Sequence, residues 1–289
     1  MQRLTSGHNP LLKSLRRAVQ RGTLTAEGAL VAEGPHVVLE AIESECAIPA
    51  VLISDTRNDA TWQRLAAHGL SRDQLESYQR TGRIGRVLEV PAEEFDALTG
   101  TEHSQGILAL VEARQWNWDD IAVLAAEPPL VVVLDGIQDP GNAGAILRAA
   151  EAFDATGAIL LKGSANPFNP KCVRASAGSI FRLPLLAGVA PEELLEQAAA
   201  RKIRLLASRS GDAAKFEQAA TLLGESCAVI IGGEGRGVHD RLAAKSETIS
   251  IPTRHVESLN AAVAAGILLY EARRRRGPAS NSSREPPNR

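Results

Sequence analysis

The chain has 289 residues, 44% of them hydrophobic and 23% charged, with a net charge of −2. That length has room for two domains with real cores, and no apolar run reaches the roughly 18 residues of a membrane span. Cys46, Cys172 and Cys227 are far apart and odd in number, and the six histidines show no HExxH spacing, so neither a disulfide framework nor a metal site is expected.

The N-terminus is basic but lacks the apolar core of a signal peptide, so a cytoplasmic protein without membrane contact is expected. Charge is unevenly spread: Met1 to Ala26 holds five Lys/Arg and no acidic residue, and Arg273 to Arg276 form a second basic run. Such clusters suit local contact with phosphates. Solvated helix faces are the plainer reading, and cations at a helix C-terminus also complement its dipole.

In chain order, residues 1–113 alternate helical and strand patterns. They run from a basic amphipathic LLKSLRRAVQ through ALVAEGPHVVLEAI, AVLISD and RVLEV to GILALVE. This is a compact α/β unit. A hinge over 114–129 carries Trp116, Asn117 and Trp118 before a Pro-Pro stop. From Leu130 to Arg276, short apolar runs alternate with helices: LVVVLD, GAILRAAEAF, TGAILLKG, PEELLEQAAARK, IRLLAS, CAVIIGGE, TISIP and a long helix from about Ser258 to Arg275. The alternation predicts a mainly parallel sheet covered on both faces. The Pro/Ser/Asn-rich tail, 277–289, is expected to be disordered.

Three segments carry candidate chemistry. In VVVLDGIQDPGNAGAILR (Val131–Arg148) a buried strand feeds a polar turn and then a helix, and ligands of open α/β sheets bind beyond such strand ends. Asn142 is a candidate site residue or an ordinary N-cap. Arg148 falls outside the Ile146/Ala150/Phe153 stripe and is either functional or simply exposed. CAVIIGGEGRGV (Cys227–Val238) runs a strand into four glycines within six residues, around Glu234 and Arg236. Glycines there allow a tight fold and close approach to a ligand. Neither GxGxxG nor GxxxxGK[ST] is matched. In ISIPTRHVESLNAAVAAGILLYEARRRR (Ile249–Arg276), the nearly all-apolar helix must be buried, whereas Ser258 and Asn260 at its start invite capping or ligand contacts. A fourth word, NPFNPKCVRASAGSIFRLP, sets Lys171, Arg174 and Ser176 before a small-residue helix that could hold a phosphate.

DPGNAGAILRAA, IGGEGRG and SLN, in this order, resemble the three signatures of the SpoU (TrmH-type) RNA ribose methyltransferases. LTSGHNPLLK, VAEGPHVVLE and TEHSQGILALV resemble the substrate-binding domain that precedes the catalytic domain in many members. The resemblance covers nearly the whole chain. It implies a small α/β substrate-binding domain (1–113), a linker (114–129) and a methyltransferase domain (130–276) whose mainly parallel sheet carries a trefoil knot. It also implies S-adenosylmethionine as cofactor, held at Gly232, Gly233, Ile251, Leu259 and Asn260. The implied catalytic set is Asn142, Arg148, Glu234, Ser258 and Asn260, with Lys13, Arg16, Arg17, Lys171 and Arg174 meeting RNA. Members are homodimers with the last helix near the interface. Between Pro252 and Ser258 the chain reads TRHVE, one residue shorter than the common form, which alters the contacts expected of Arg254 and His255.

A 2′-hydroxyl is a poor nucleophile until its proton is taken or its charge delocalised. Guanidinium is a poor base, with a pKa above about 12, so Arg148 is easier to defend as positioning a phosphate and stabilising the alkoxide. The family is usually described with it as base or proton-relay partner, and both roles stay open. The expected reaction is metal-free methyl transfer, with the two-domain layout leaning to ribosomal rather than transfer RNA. A non-catalytic RNA-binding protein would need a broken signature, and a nicotinamide-dependent oxidoreductase lacks its GxGxxG.

Overall fold

The computed structural model describes residues 2–4, 9–55, 59–99, 104–122, 128–211, 213–233 and 235–277. Glu234, the middle of the hinge (123–127) and the tail beyond Gly277 lie outside the described residues, as do parts of two N-terminal words (5–8 and 101–103).

The first half runs β1 (Gln2–Arg3), α1 (Pro10–Arg21), β2 (Ala29–Glu33), α2 (Pro35–Glu43), β3 (Ile48–Asp55) and α3 (Asp59–Ala67). It continues with α4 (Arg72–Arg80), β4 (Ile84–Pro91), α5 (Ala92–Asp96) and β5 (Ile107–Glu112). Its mixed sheet has the order β1-β4-β3-β5-β2. Helix α1 starts at Pro10, whose fixed φ suits a first turn, and the Asn9 side chain accepts from the Leu11 N–H at 2.9 Å. Leu12, Leu15 and Ala18 bury one face, leaving Lys13 and Arg17 in solvent.

After α6 (Trp118–Ala122) come β6 (Leu130–Asp135), α7 (Pro140–Ala152), β7 (Gly157–Leu161), α8 (Pro170–Ala175) and β8 (Leu185–Val189). Then follow α9 (Pro191–Ala200), β9 (Arg204–Gly211), α10 (Ala213–Ala220), β10 (Cys227–Gly232), α11 (Asp240–Ala243), β11 (Glu247–Pro252) and α12 (Ala261–Arg276). The second sheet, β11-β9-β10-β6-β7-β8, is parallel at every pairing. Its central strands β6 and β10 are apolar and buried along nearly their whole length, as strands covered on both faces must be. Burial pushes the Cys172 and Cys227 thiols up to about 12 and about 11, so neither is a ready nucleophile. No described helix is long and apolar enough to cross a membrane.

Several expectations are corrected. Helix α7 begins at Pro140 and is capped by Asp139, so Asn142 stands in its first turn rather than in the loop. Helix α12 begins at Ala261, because Asn260 is its cap. Lys171 and Arg174 lie inside the short α8 instead of preceding a helix. The arginine run is engaged within the chain. Arg273 pairs with Asp154 at 2.8 Å, and Arg274 and Arg275 hold Glu271 at 2.8 and 2.6 Å. Arg276 donates to the backbone carbonyls of Leu223, Glu225, Pro128 and Pro129. Arg276 ties the end of α12 to the start of β6, and the run as a whole offers little to an external phosphate.

The two sheets share one apolar cluster, which runs from Val38 and Val51 to Leu147 and Leu269. Ion pairs stitch the same junction. The Arg174 Nη1 donates at 2.6 Å to Glu33 of β2, whose side chain is 5% exposed. Arg182 reaches Glu40 and Ser44 on one side and Glu151 of α7 on the other. Removing one partner of a buried pair strands the other charge. Arg174→Ala is therefore expected to destabilise the chain by about 3 kcal/mol, read from urea midpoints. Replacing Arg174 and Glu33 together by methionine should restore most of the loss.

Candidate active site

The site forms where β6 and β10 end side by side. Gly232 is in register with Asp135, and the Gly233 N–H donates to the Asp135 carbonyl at 2.9 Å. The buried Asp135 carboxylate accepts from the His239 N–H at 2.6 Å, drawing the glycine loop back onto β6. On the other side, the Gly136 N–H donates at 3.0 Å to the Ser164 hydroxyl, which itself donates to the Leu134 carbonyl at 2.9 Å. The loops after β6, β7 and β10 are thus tied to one another.

Glycines make that closeness possible. A Cβ at Gly232 would collide with the backbone of Gly237 and Val238, and one at Gly233 with the carbonyl of Gly136. Gly233 and Gly237 form an isolated bridge, and Gly237 turns at a φ of 69°. The protein's own packing therefore demands these two glycines, before any ligand is considered.

Asp139 caps α7 by accepting from the Asn142 N–H at 2.8 Å, and also pairs with Lys171 at 2.6 Å. The Lys171 ammonium, then the Asn142 N–H, hold its carboxyl below the usual range. A lowered pKa means this cap stabilises the fold above the ordinary carboxylate range and fails as pH falls through the lowered value. The Asn142 Oδ1 accepts from the Asn260 Nδ2 at 3.2 Å, while the Asn260 Oδ1 accepts from the N–H groups of Ala262 and Val263. One amide thus caps α12 and links its start to α7, across 118 residues of chain.

An open cleft of about 680 Å³ lies over these strand ends, lined by Asp135, Asn142, Lys162, Gly233, Arg236 and His239 among others. Asn142 and Gly233 are therefore brought together on it. Ile251 lies near the end of β11, and Ser258 and Leu259 in the segment leading to α12; none of the three lines the cleft, although Ala261 at the start of α12 does. In that shortened segment His255 adopts a φ of 66°, rare for a side chain other than glycine. Arg148 is exposed and makes no hydrogen bond or ion pair among the described residues. Six residues past Asn142, it points about 240° around the helix from it and does not line the cleft.

Of the expected RNA contacts, Lys13 and Arg17 are exposed, whereas Arg16 pairs with Glu94 at 3.1 Å and Arg174 with Glu33. Sequence reasoning missed Lys162 and His239. Lys162 was findable, since it ends TGAILLKG at the same edge of the sheet where Asp135 ends LVVVLD.

The site is thus an open cleft over the strand ends of a parallel sheet, closed on one side by a glycine loop and on another by two helix starts joined by an amide pair. Comparison gives the family. Residues 129–270 match the model of the SpoU rRNA Methylase family, and residues 9–109 that of an MRM3-like substrate binding domain. The chain is 32% identical to an uncharacterized tRNA/rRNA methyltransferase of Synechocystis, over 96% of this chain and 95% of that one. It is 28% identical to the 23S rRNA (guanosine(2553)-2′-O)-methyltransferase RlmP of Bacillus subtilis, over 94% of this chain and 100% of that one. The crystal structure of the SpoU methyltransferase AviRb from Streptomyces viridochromogenes with AdoMet superposes with a TM-score of 0.75 at 26% identity, covering 93% of this chain and 98% of that one.

The chain belongs to the SpoU methylase family. It is an RNA methyltransferase that uses S-adenosylmethionine. The site fits that cofactor, since glycine backbone at Gly233 and Gly237 borders an open cleft without placing side chains into it.

Two variants separate structural from functional duties. Asn260→Asp keeps the cap, for Asp and Asn cap equally well, but cannot donate to Asn142. Its urea midpoint should match the parent while methylation falls. Asn260→Ala should lose about 1 kcal/mol of stability as well. For Gly233→Ala, the clash with the Gly136 carbonyl should displace the loop and weaken cofactor binding at least about tenfold by calorimetry.

Proposed function

We propose that this chain methylates a ribose 2′-hydroxyl of ribosomal RNA, in the cytoplasm, as a homodimer. The bond between Asn142 and Asn260 carries this reading most directly, because it joins the first and third signature words in space. The full-length match to a 23S rRNA 2′-O-methyltransferase supports the choice of ribosomal RNA. Residues 1–113 serve substrate recognition and 130–276 catalysis, joined by 114–129. The segment from Thr253 to Asn260, which leaves the edge strand β11 and meets α7, is read as part of the knot.

Gly232, Gly233, Ile251, Leu259 and Asn260 are the residues assigned to hold the cofactor, which supplies an electrophilic methyl group. The chain's own work is orientation and charge stabilisation. Asn142 and Asn260 hold the α7 and α12 starts together beside the reacting ribose. Ser258 and Glu234 complete the polar set assigned to that position. Arg148 lies outside the cleft of its own chain, so its assigned role, orienting a substrate phosphate and stabilising the developing alkoxide, requires the second copy to bring a cleft to it. That role suits a permanently charged, planar donor better than that of a base.

Support for the dimer comes from α12. Val263, Ile267 and Tyr270 repeat at helical spacing and are 51%, 38% and 56% exposed, an apolar stripe that water covers poorly. Tyr270 meets Phe153 of α7 edge-on. A second copy on this face would cover the stripe and stand beside the helix that carries Arg148.

Arg148→Ala should cut single-turnover methylation about 100-fold, the scale of losing an oxyanion donor, with cofactor affinity retained. Arg148→Lys should be badly impaired too, because lysine lacks the planar fork. Near-normal rates in Arg148→Ala would remove the residue from the mechanism.

A further inference from the structure

Three recesses of the surface are continuous. One, of about 460 Å³, runs along α1 past Lys13, Arg17 and Arg21 to Thr23 and Leu24. A second, of about 490 Å³, begins at the same Thr23 and Leu24 and follows the β7–α8 loop from Lys162 to Phe168. The third is the cleft of the candidate active site, which shares Lys162 and Gly163 with the second. A groove therefore leads from the basic N-terminal helix to the strand ends, across the join between the two sheets.

Its charge is one-sided. Lys13, Arg17 and Arg21 recur every fourth residue, so they share one face of α1. With Lys162 and Arg236 they are exposed, and none has a side-chain hydrogen bond or ion pair among the described residues. The carboxylates along the path are occupied: Glu27 accepts from Ser14 at 3.0 Å, Asp139 from Lys171, and Asp135 from the His239 N–H. Five unpaired cations outnumber the carboxylates on the path, Glu27, Asp135 and the Lys171-paired Asp139, and the positive balance attracts a polyanion. Leu24 and the half-buried Phe168 add apolar surface in the middle of the path, which suits unstacked bases.

We propose that this groove is the track of a single-stranded RNA segment, with the Lys162–Phe168 loop as the bridge that carries it from α1 to the cleft. A ribose presented in a recess between strand-end loops must leave a continuous duplex, so the strand in the groove is unpaired. The inference rests on the proposed RNA methylation for its substrate class, but it is a statement about binding and can be tested without turnover.

The test uses the full chain and a 4-thiouridine-labelled oligoribonucleotide of about twelve nucleotides. After irradiation, crosslinked peptides are mapped by mass spectrometry, and affinity is measured by anisotropy over a salt series. Crosslinks should fall on both α1 and the Lys162–Phe168 loop. Lys162→Glu, and Arg17→Glu with Arg21→Glu, should each weaken binding at least about fivefold and lower the salt slope by about 0.7 per lost phosphate contact. Tighter binding of a duplex of the same length, crosslinks that avoid the loop, or affinities within about twofold of the parent would overturn the track. Crosslinks on the track without any methyl transfer to ribosomal RNA would instead overturn the function and leave the groove standing.

Discussion

The whole arrangement depends on β6 and β10 ending side by side with almost no space between their loops. One backbone hydrogen bond, from the Gly233 N–H to the Asp135 carbonyl, and the buried Asp135 carboxylate, which accepts from the His239 N–H, pull the glycine loop down onto the end of β6. Once those loops are closed against each other, the cleft above them has a floor of main chain. The backbone of Gly136, Gly233 and Gly237 contributes fixed dipoles to that cleft beside the side chains of Asn142, Lys162, Arg236 and His239, which suits a site whose task is orientation. The same closure brings α7 to the rim, and the Asn260 amide then draws the start of α12 against it.

Much of this was legible in sequence. The runs LVVVLD and CAVIIG are apolar and rich in β-branched residues because both faces of those strands are covered, and they read as buried parallel strands without ambiguity. The glycine cluster also read correctly as a place of close approach, but its first partner is protein backbone. The α4 segment, RDQLESYQR, escaped notice because it buries only Leu75 and so leaves no stripe. The edge strand LLAGV was missed for the related reason that part of it faces solvent. Caps were harder still. Asp139, Asn142 and Asn260 are all competent caps, and only the backbone shows that Asp139 and Asn260 serve and Asn142 does not.

Charge was the least legible property. Four consecutive arginines look like a phosphate site, yet Arg273 and Arg276 are engaged by groups far away in sequence, and Arg274 and Arg275 by Glu271 one turn back on the same helix. Arg174 similarly answers the buried Glu33, and so joins the two sheets. Lys162, an isolated cation with no notable motif, faces solvent, as do Lys13, Arg17 and Arg21 of the N-terminal cluster. A basic residue's availability depends on its tertiary partners, which composition does not encode.

The central claim is that this site methylates the ribose 2′-oxygen of a ribosomal RNA nucleotide. The most direct measurement incubates the protein with S-adenosylmethionine carrying a deuterated methyl group and ribosomal RNA from cells lacking the gene, then digests the RNA to nucleosides for mass spectrometry. The account predicts label in a single 2′-O-methylnucleoside at one position. Label on a base, or none in ribosomal RNA while transfer RNA is labelled, would contradict it.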